Sequence, residues 1–143
     1  MKTFKILAVL VAMFATNFAM KADNDRVITY QNLPATAQAF LKQHFPEKTP
    51  SFITADWDDF TVRYQTGEKV EFDTQGNWKD VECYGTAVPA ALVPQAIDAA
   101  VKAQFPGMII MKIERKYGGY EVKLSNSLEV KFNNAGQVME IDD

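Results

Sequence analysis

The spacing of apolar residues along the chain changes twice, and then the whole pattern recurs. Ala37, Phe40, Leu41 and Phe45 lie three and four residues apart, the stripe of an amphipathic helix. Leu33-Pro34 opens that helix, because proline at a first helical position lacks an N–H that would have no partner anyway, and Pro46 ends it. The period then falls to two. Phe60, Val62 and Tyr64 alternate with Thr61 and Arg63, and Val70 and Phe72 alternate with Lys69 and Glu71. Strands with one apolar and one charged face predict an antiparallel sheet covered on one side only.

The turns between the strands are equally legible. Thr66-Gly67 reads as a tight hairpin. Asp73-Thr74-Gln75-Gly76 reads as a second turn, where an Asx side chain can hold the backbone. Beyond it Trp78 and Val81 are three residues apart, out of step with period two, which predicts a β-bulge. A further strand over residues 51–57 precedes these.

The same order returns at an offset of sixty residues. Pro34 recurs as Pro94, Phe45-Pro46 as Phe105-Pro106, Ile53 as Ile113 and Val62 as Val122. Val70, Phe72 and Gly76 recur as Val130, Phe132 and Gly136. Identity between residues 33–82 and 93–142 is only about one position in five, but no gap is needed. The matches fall on apolar, proline and glycine positions, the types that set core faces and turns. The predicted fold is therefore α+β, with two tandem repeats, each one helix followed by about four antiparallel strands and the helices on one face of the sheet. Each repeat would be marginal alone, so the two are expected to share a core, across a packed linker at residues 83–92.

The front of the chain predicts where it works. Lys2 and Lys5, an apolar run at 6–13 and small residues at Ala15, Ala19 and Ala22 form a secretory signal peptide, with cleavage after Ala19 or Ala22. The expected organisation is thus a leader at 1–22 and a single domain at 23–143, periplasmic or secreted and with no membrane insertion of the mature chain. The formal net charge is −3, and loss of Lys2 and Lys5 makes it −5, or −6 if Lys21 is also removed. An acidic surface excludes nucleic acid as the expected partner.

Little in the chain points to catalysis. The lone His44 sits near a helix end, where a solvated side chain is expected, and the lone Cys83 cannot form an internal disulfide. Neither lies in a nucleophile motif, and together they cannot build a zinc site. Asp56, Asp58 and Asp59 cluster around Trp57, and clustered carboxylates on a loop can supply several of the oxygens that calcium needs. Trp57 and Tyr117 hold equivalent positions with the parity of Ile53 and Ile113, so both are expected in the structural interior. No other cofactor is indicated.

The ordered set Leu33-Pro34, His44-Phe45-Pro46, Val70-Glu71-Phe72-Asp73, Gly76-x-Trp78, Ala87-Val88-Pro89, Val93-Pro94, Ile113-Glu114-Arg115 and residues 120–126 resembles the β-lactamase-inhibitor-like, PepSY-like family of small exported proteins, found largely in Bacteroides-type bacteria. The resemblance implies helix-plus-four-strand units whose combined sheet clasps a protein partner, and an inhibitory role. It supplies no binding motif to carry over. The expected function is a non-enzymatic periplasmic module that binds another periplasmic or secreted protein through the polar sheet face. Phe52, Arg63, Glu71, Trp78, Lys123 and Lys131 are its candidate contacts. The alternative is a calcium-responsive structural or sensing protein using Asp56, Asp58 and Asp59.

Overall fold

The computed structural model describes residues 25–143, so the predicted leader lies outside the described residues. Nine strands form one open antiparallel sheet in chain order, β1 to β9. The strands are β1 Arg26–Val27, β2 Pro50–Ala55, β3 Asp59–Tyr64, β4 Lys69–Asp73, β5 Trp78–Glu82, β6 Ile110–Lys116, β7 Gly119–Leu124, β8 Glu129–Asn133 and β9 Val138–Asp142. Helix α1 spans Ala35–His44 and helix α2 spans Gln95–Gln104, each preceded by a short 3-10 turn. The architecture is α+β, and no described helix is long and apolar enough to cross a membrane.

Register shows why alternation in sequence becomes a layered core. Ile53, Val62, Val70 and Val81 face one another across β2 to β5, and the row continues through Ile113, Val122, Val130 and Ile141 on β6 to β9. The row crosses from β5 to β6 without a break, because Val81 lies opposite Ile113. Ala37 and Leu41 of α1, and Ile97 and Val101 of α2, are buried in the same cluster. The linker is packed too: Cys83 and Val88 are buried, and their amides donate to the carbonyls of Met111 and Ile110.

Each helix is seated on a turn of the sheet. The Asp73 carboxylate accepts from the amides of Gln75 and Asn77, both at 2.9 Å, and Asn133 Oδ1 holds Ala135 and Gln137 in the same way. Gly76 within the first of these turns has φ +90°, and a Cβ there would stand 2.9 Å from the backbone nitrogen of Ala37. Glycine is needed on both counts.

Several side chains lie where alternation alone does not put them. The ladder shifts register between Glu71 and Phe72, so Trp78 rather than Lys79 faces Phe72. That bulge turns Trp78 inward, 8% exposed, with the Phe40 ring centroid 6.3 Å away and the Arg115 guanidinium 4.1 Å over its ring. Trp78 is therefore removed from the polar face on which it was expected. Trp57 and Tyr117 are corrected in the other direction. Trp57 is 76% exposed and Tyr117 fully so, because both sit at hairpin tips past the last paired residues. His44 is half-buried against Phe40 at 4.5 Å rather than solvated, and burial lowers its pKa. The two-residue β1, pairing Val27 with Thr54, has no alternation to announce it.

Candidate protein-recognition face and acidic turn

The sheet surface opposite the helices carries two long cross-strand rows. One runs Phe52, Arg63, Lys69, Glu82, Lys112, Lys123, Glu129, Asp142 from β2 to β9. Beside it runs a row from Thr54 and Thr61 through Glu71, Asp80, Glu114 and Glu121 to Lys131 and Glu140. Five of the six predicted contacts share this face: Phe52, Arg63 and Lys123 in the first row, Glu71 and Lys131 in the second. Trp78 is on the other side.

Four carboxylates side by side would repel, and the neighbouring lysines offset this. Lys69 reaches Glu71 at 3.4 Å and Glu82 at 3.8 Å, while Lys116 bridges Glu114 at 3.4 Å and Glu121 at 3.6 Å. Lys131 pairs with Glu140 at 3.1 Å. Neither Arg63 nor Lys123 forms an ion pair among the described residues. Lys123 lies opposite Lys112, and both border a depression of about 190 Å³ together with Glu114, Glu121 and Glu129.

Asp80 is a feature that reading the chain alone missed. It is only 5% exposed, although it belongs to the polar face. Lys112 Nζ lies 3.7 Å from Oδ2, and Oδ1 is buried without a hydrogen-bond partner. Burial pushes its pKa up to about 6, with Glu71 and Glu114 adding to the effect and Lys112 opposing it. The three-residue step from Trp78 to Val81 signals only that Asp80 lies on the polar face; its burial depends on β6, thirty-four positions away.

The three aspartates of the β2–β3 turn come together. Asp56, Asp58 and Asp59 each offer a carboxylate oxygen, and these oxygens lie within 4.8 Å of one another. Asp56 Oδ1 accepts from the amides of Asp58 at 2.9 Å and Asp59 at 3.0 Å, which holds its carboxyl below the ordinary range. Asp58 is shifted upward by its hydrogen bond to Asp56, and Asp59 chiefly by burial. Lys79 stands 3.4 Å from Asp59. Three carboxylates could supply part of the six to eight oxygens of a calcium site.

A larger cleft, about 580 Å³, opens between the end of α1, the segment after β1 and the start of β2. Its lysines are Lys42 and Lys48, and the latter is already engaged with Glu68 at 3.5 Å and with Thr66. Among the described residues, its lining holds no Asp, Glu, His or Cys. Cys83 is likewise a poor nucleophile, since burial pushes its thiol up to about 11.

Residues 58–140 match the model of the β-lactamase-inhibitor-like, PepSY-like family. Among solved structures, the chain is similar to a Bacteroides thetaiotaomicron protein named a "putative calcium-regulated periplasmic protein", with 39% identity over 84% of this chain and 98% of that one, and a TM-score of 0.79. A periplasmic protein of the DUF2874 family from Bacteroides vulgatus is 43% identical, over 85% and 99% of the two chains, with a TM-score of 0.78. Another Bacteroides vulgatus periplasmic protein, of unknown function, is 32% identical over 83% and 99%, with a TM-score of 0.79. No curated protein matches the chain.

Proposed function

The chain belongs to the β-lactamase-inhibitor-like, PepSY-like family, and from that premise we propose that it is a non-enzymatic periplasmic module that binds another protein through its exposed sheet face. The observation that carries this reading is the face itself. Among the described residues it is broad, has no helix over it, and presents Arg63 and Lys123 without ionic partners. Fixed rows of charge on a rigid sheet favour encounter with a complementary surface and disfavour others. The halves are read as duplicated units, supported by strand registers that recur at the sixty-residue offset. A periplasmic location is supported by the predicted leader and by the names of the relatives.

The test is affinity capture from periplasmic extract with the unaltered protein and with Arg63→Glu combined with Lys123→Glu. A partner held in a saturable manner by the first should bind the second roughly a hundredfold more weakly, the scale of a few kcal/mol. Equal retention by both sinks the reading.

A second reading is calcium response through the acidic turn. It is favoured by the convergence of Asp56, Asp58 and Asp59 within 4.8 Å, and by the name of the 39%-identical relative. An ion that binds only the native state raises the melting midpoint, contributing about 2.7 kcal/mol at roughly a hundred times its Kd. Melting in millimolar calcium should exceed melting in chelator by several degrees, and Asp58→Asn should abolish the difference. Identical curves with and without calcium remove this reading.

A further inference from the structure

We propose that the outer edge of β9 is a second docking element, which accepts an extended segment of a partner protein carrying alternating apolar and basic residues. The proposal deepens the binding role stated above and rests on it.

β5 and β9 hold equivalent places in the two halves of the sheet. Both strands pair with the preceding strand in the same register, Val81 opposite Val70 and Ile141 opposite Val130. Each carries the same bulge. They differ in what lies on the far side. The outer edge of β5 is occupied by β6, which sets Ile113 against Val81 and Lys112 against Glu82. Among the described residues nothing pairs with the outer edge of β9.

The consequence is visible in burial. Val81 is fully buried, whereas Ile141 at the equivalent place is 49% exposed. Met139, in the bulge, is 64% exposed. The backbone is oriented for pairing as well. Cys83 donates its amide to Met111 on β6, so by alternation Val81 also points its amide toward β6, and Ile141 points its own outward.

Edges are protected against association by shortness, charge, proline or a bulge; the bulge of β9 is shared with β5, where it does not prevent pairing with β6. The opposite edge, β1, has two residues. By contrast β9 has five, keeps two large apolar side chains exposed, and has acidic Asp142 toward the polar face, beside a Glu140 that pairs with Lys131. β6 on β5 is the internal template for the occupant: an apolar residue opposite Ile141, flanked by a basic residue opposite Asp142. Strand addition of this kind draws affinity from the main chain and selectivity from alternate side chains. A second copy of this chain fits poorly. Two β9 strands pairing edge to edge would bring their acidic residues together.

The probe is a blocked synthetic peptide, Ile-Met-Lys-Ile-Lys-Arg-Lys, which copies residues 110–116 with Glu114→Lys. Titrated into the isotope-labelled protein, it should give saturable amide shifts confined to β8 and β9, and slow exchange of the Ile141 amide by roughly tenfold. A control peptide with glutamate at every lysine, or the Ile141→Lys protein, should weaken binding roughly tenfold or more. Absence of saturable shifts, shifts centred on Arg63 and Lys123, or self-association that protects β9 without peptide would each overturn the proposal. If the peptide fails while a captured partner still depends on Arg63 and Lys123, only the β9 assignment falls. If β9 binds and that dependence is missing, the sheet-face reading falls instead.

Discussion

Asp80→Asn should stabilise the protein by about 1–3 kcal/mol in mildly alkaline buffer and have almost no effect near pH 4. The carboxylate is taken out of water by the strands on either side, which raises its pKa to about 6 from an ordinary 3.8. A shift of about two units, already net of the opposing attraction to Lys112, corresponds to about 3 kcal/mol between the protonated and ionised forms. The orphaned Oδ1 adds to the cost of keeping the charge buried.

The sign follows from proton counting. Between about pH 4 and pH 6 the folded chain holds a proton at Asp80 that the unfolded chain has released, so this group's contribution is fully present below the unfolded pKa and lost as pH rises through the folded one. Other carboxyls act in the opposite sense. Asp73 and Glu68 are held below their ordinary values by hydrogen bonds that outweigh burial. Raw stability against pH therefore mixes both effects, and the difference between variant and parent isolates Asp80. Denaturant unfolding of both proteins at several pH values is the measurement. A difference that stays flat with pH, or a variant that is less stable at high pH, would show that Lys112 and its neighbours already compensate the charge.

That aspartate also shows what a local sequence pattern does not encode. Helix stripes and strand alternation depend on residues near in sequence, and both were visible at Phe40, Leu41, Val62 and Val70. So were the Asx turns at Asp73 and Asn133, where side chain and backbone partners are a few residues apart. Five of six expected contacts share a face for the same reason, since parity carries along each strand.

What stayed hidden depends on partners far away in sequence or on one irregular residue. The bulge reverses parity at Trp78, and only then does Phe40 from α1 lie over the ring. Asp80 is buried because β6 arrives alongside β5, a pairing across thirty-four positions that no local pattern announces. Trp57 and Tyr117 kept the parity of the core but outran the paired part of the sheet. Exposure at a hairpin tip is set by where the layer ends, not by periodicity.

Phe72→Ala should cost about 3–5 kcal/mol, the range for deleting a fully buried aromatic ring and leaving a cavity. Phe72 is completely buried, lies opposite Phe60 and Trp78 in the ladder, and has the Phe40 ring edge-on with centroids 5.4 Å apart. Rigid backbone on both neighbouring strands prevents the cavity from collapsing. For a domain of this size the loss lowers the melting midpoint by roughly 10–20 °C. The shape of the transition is as informative as its position. Because Val81 meets Ile113, the apolar row is continuous across the boundary between the two halves. Removing a ring from the first half should therefore move one cooperative transition as a whole, and Phe132→Ala in the second half should move the same transition. Calorimetry showing two transitions, with only one displaced by each variant, would mean that β5 and β6 join two independently folding units rather than one core.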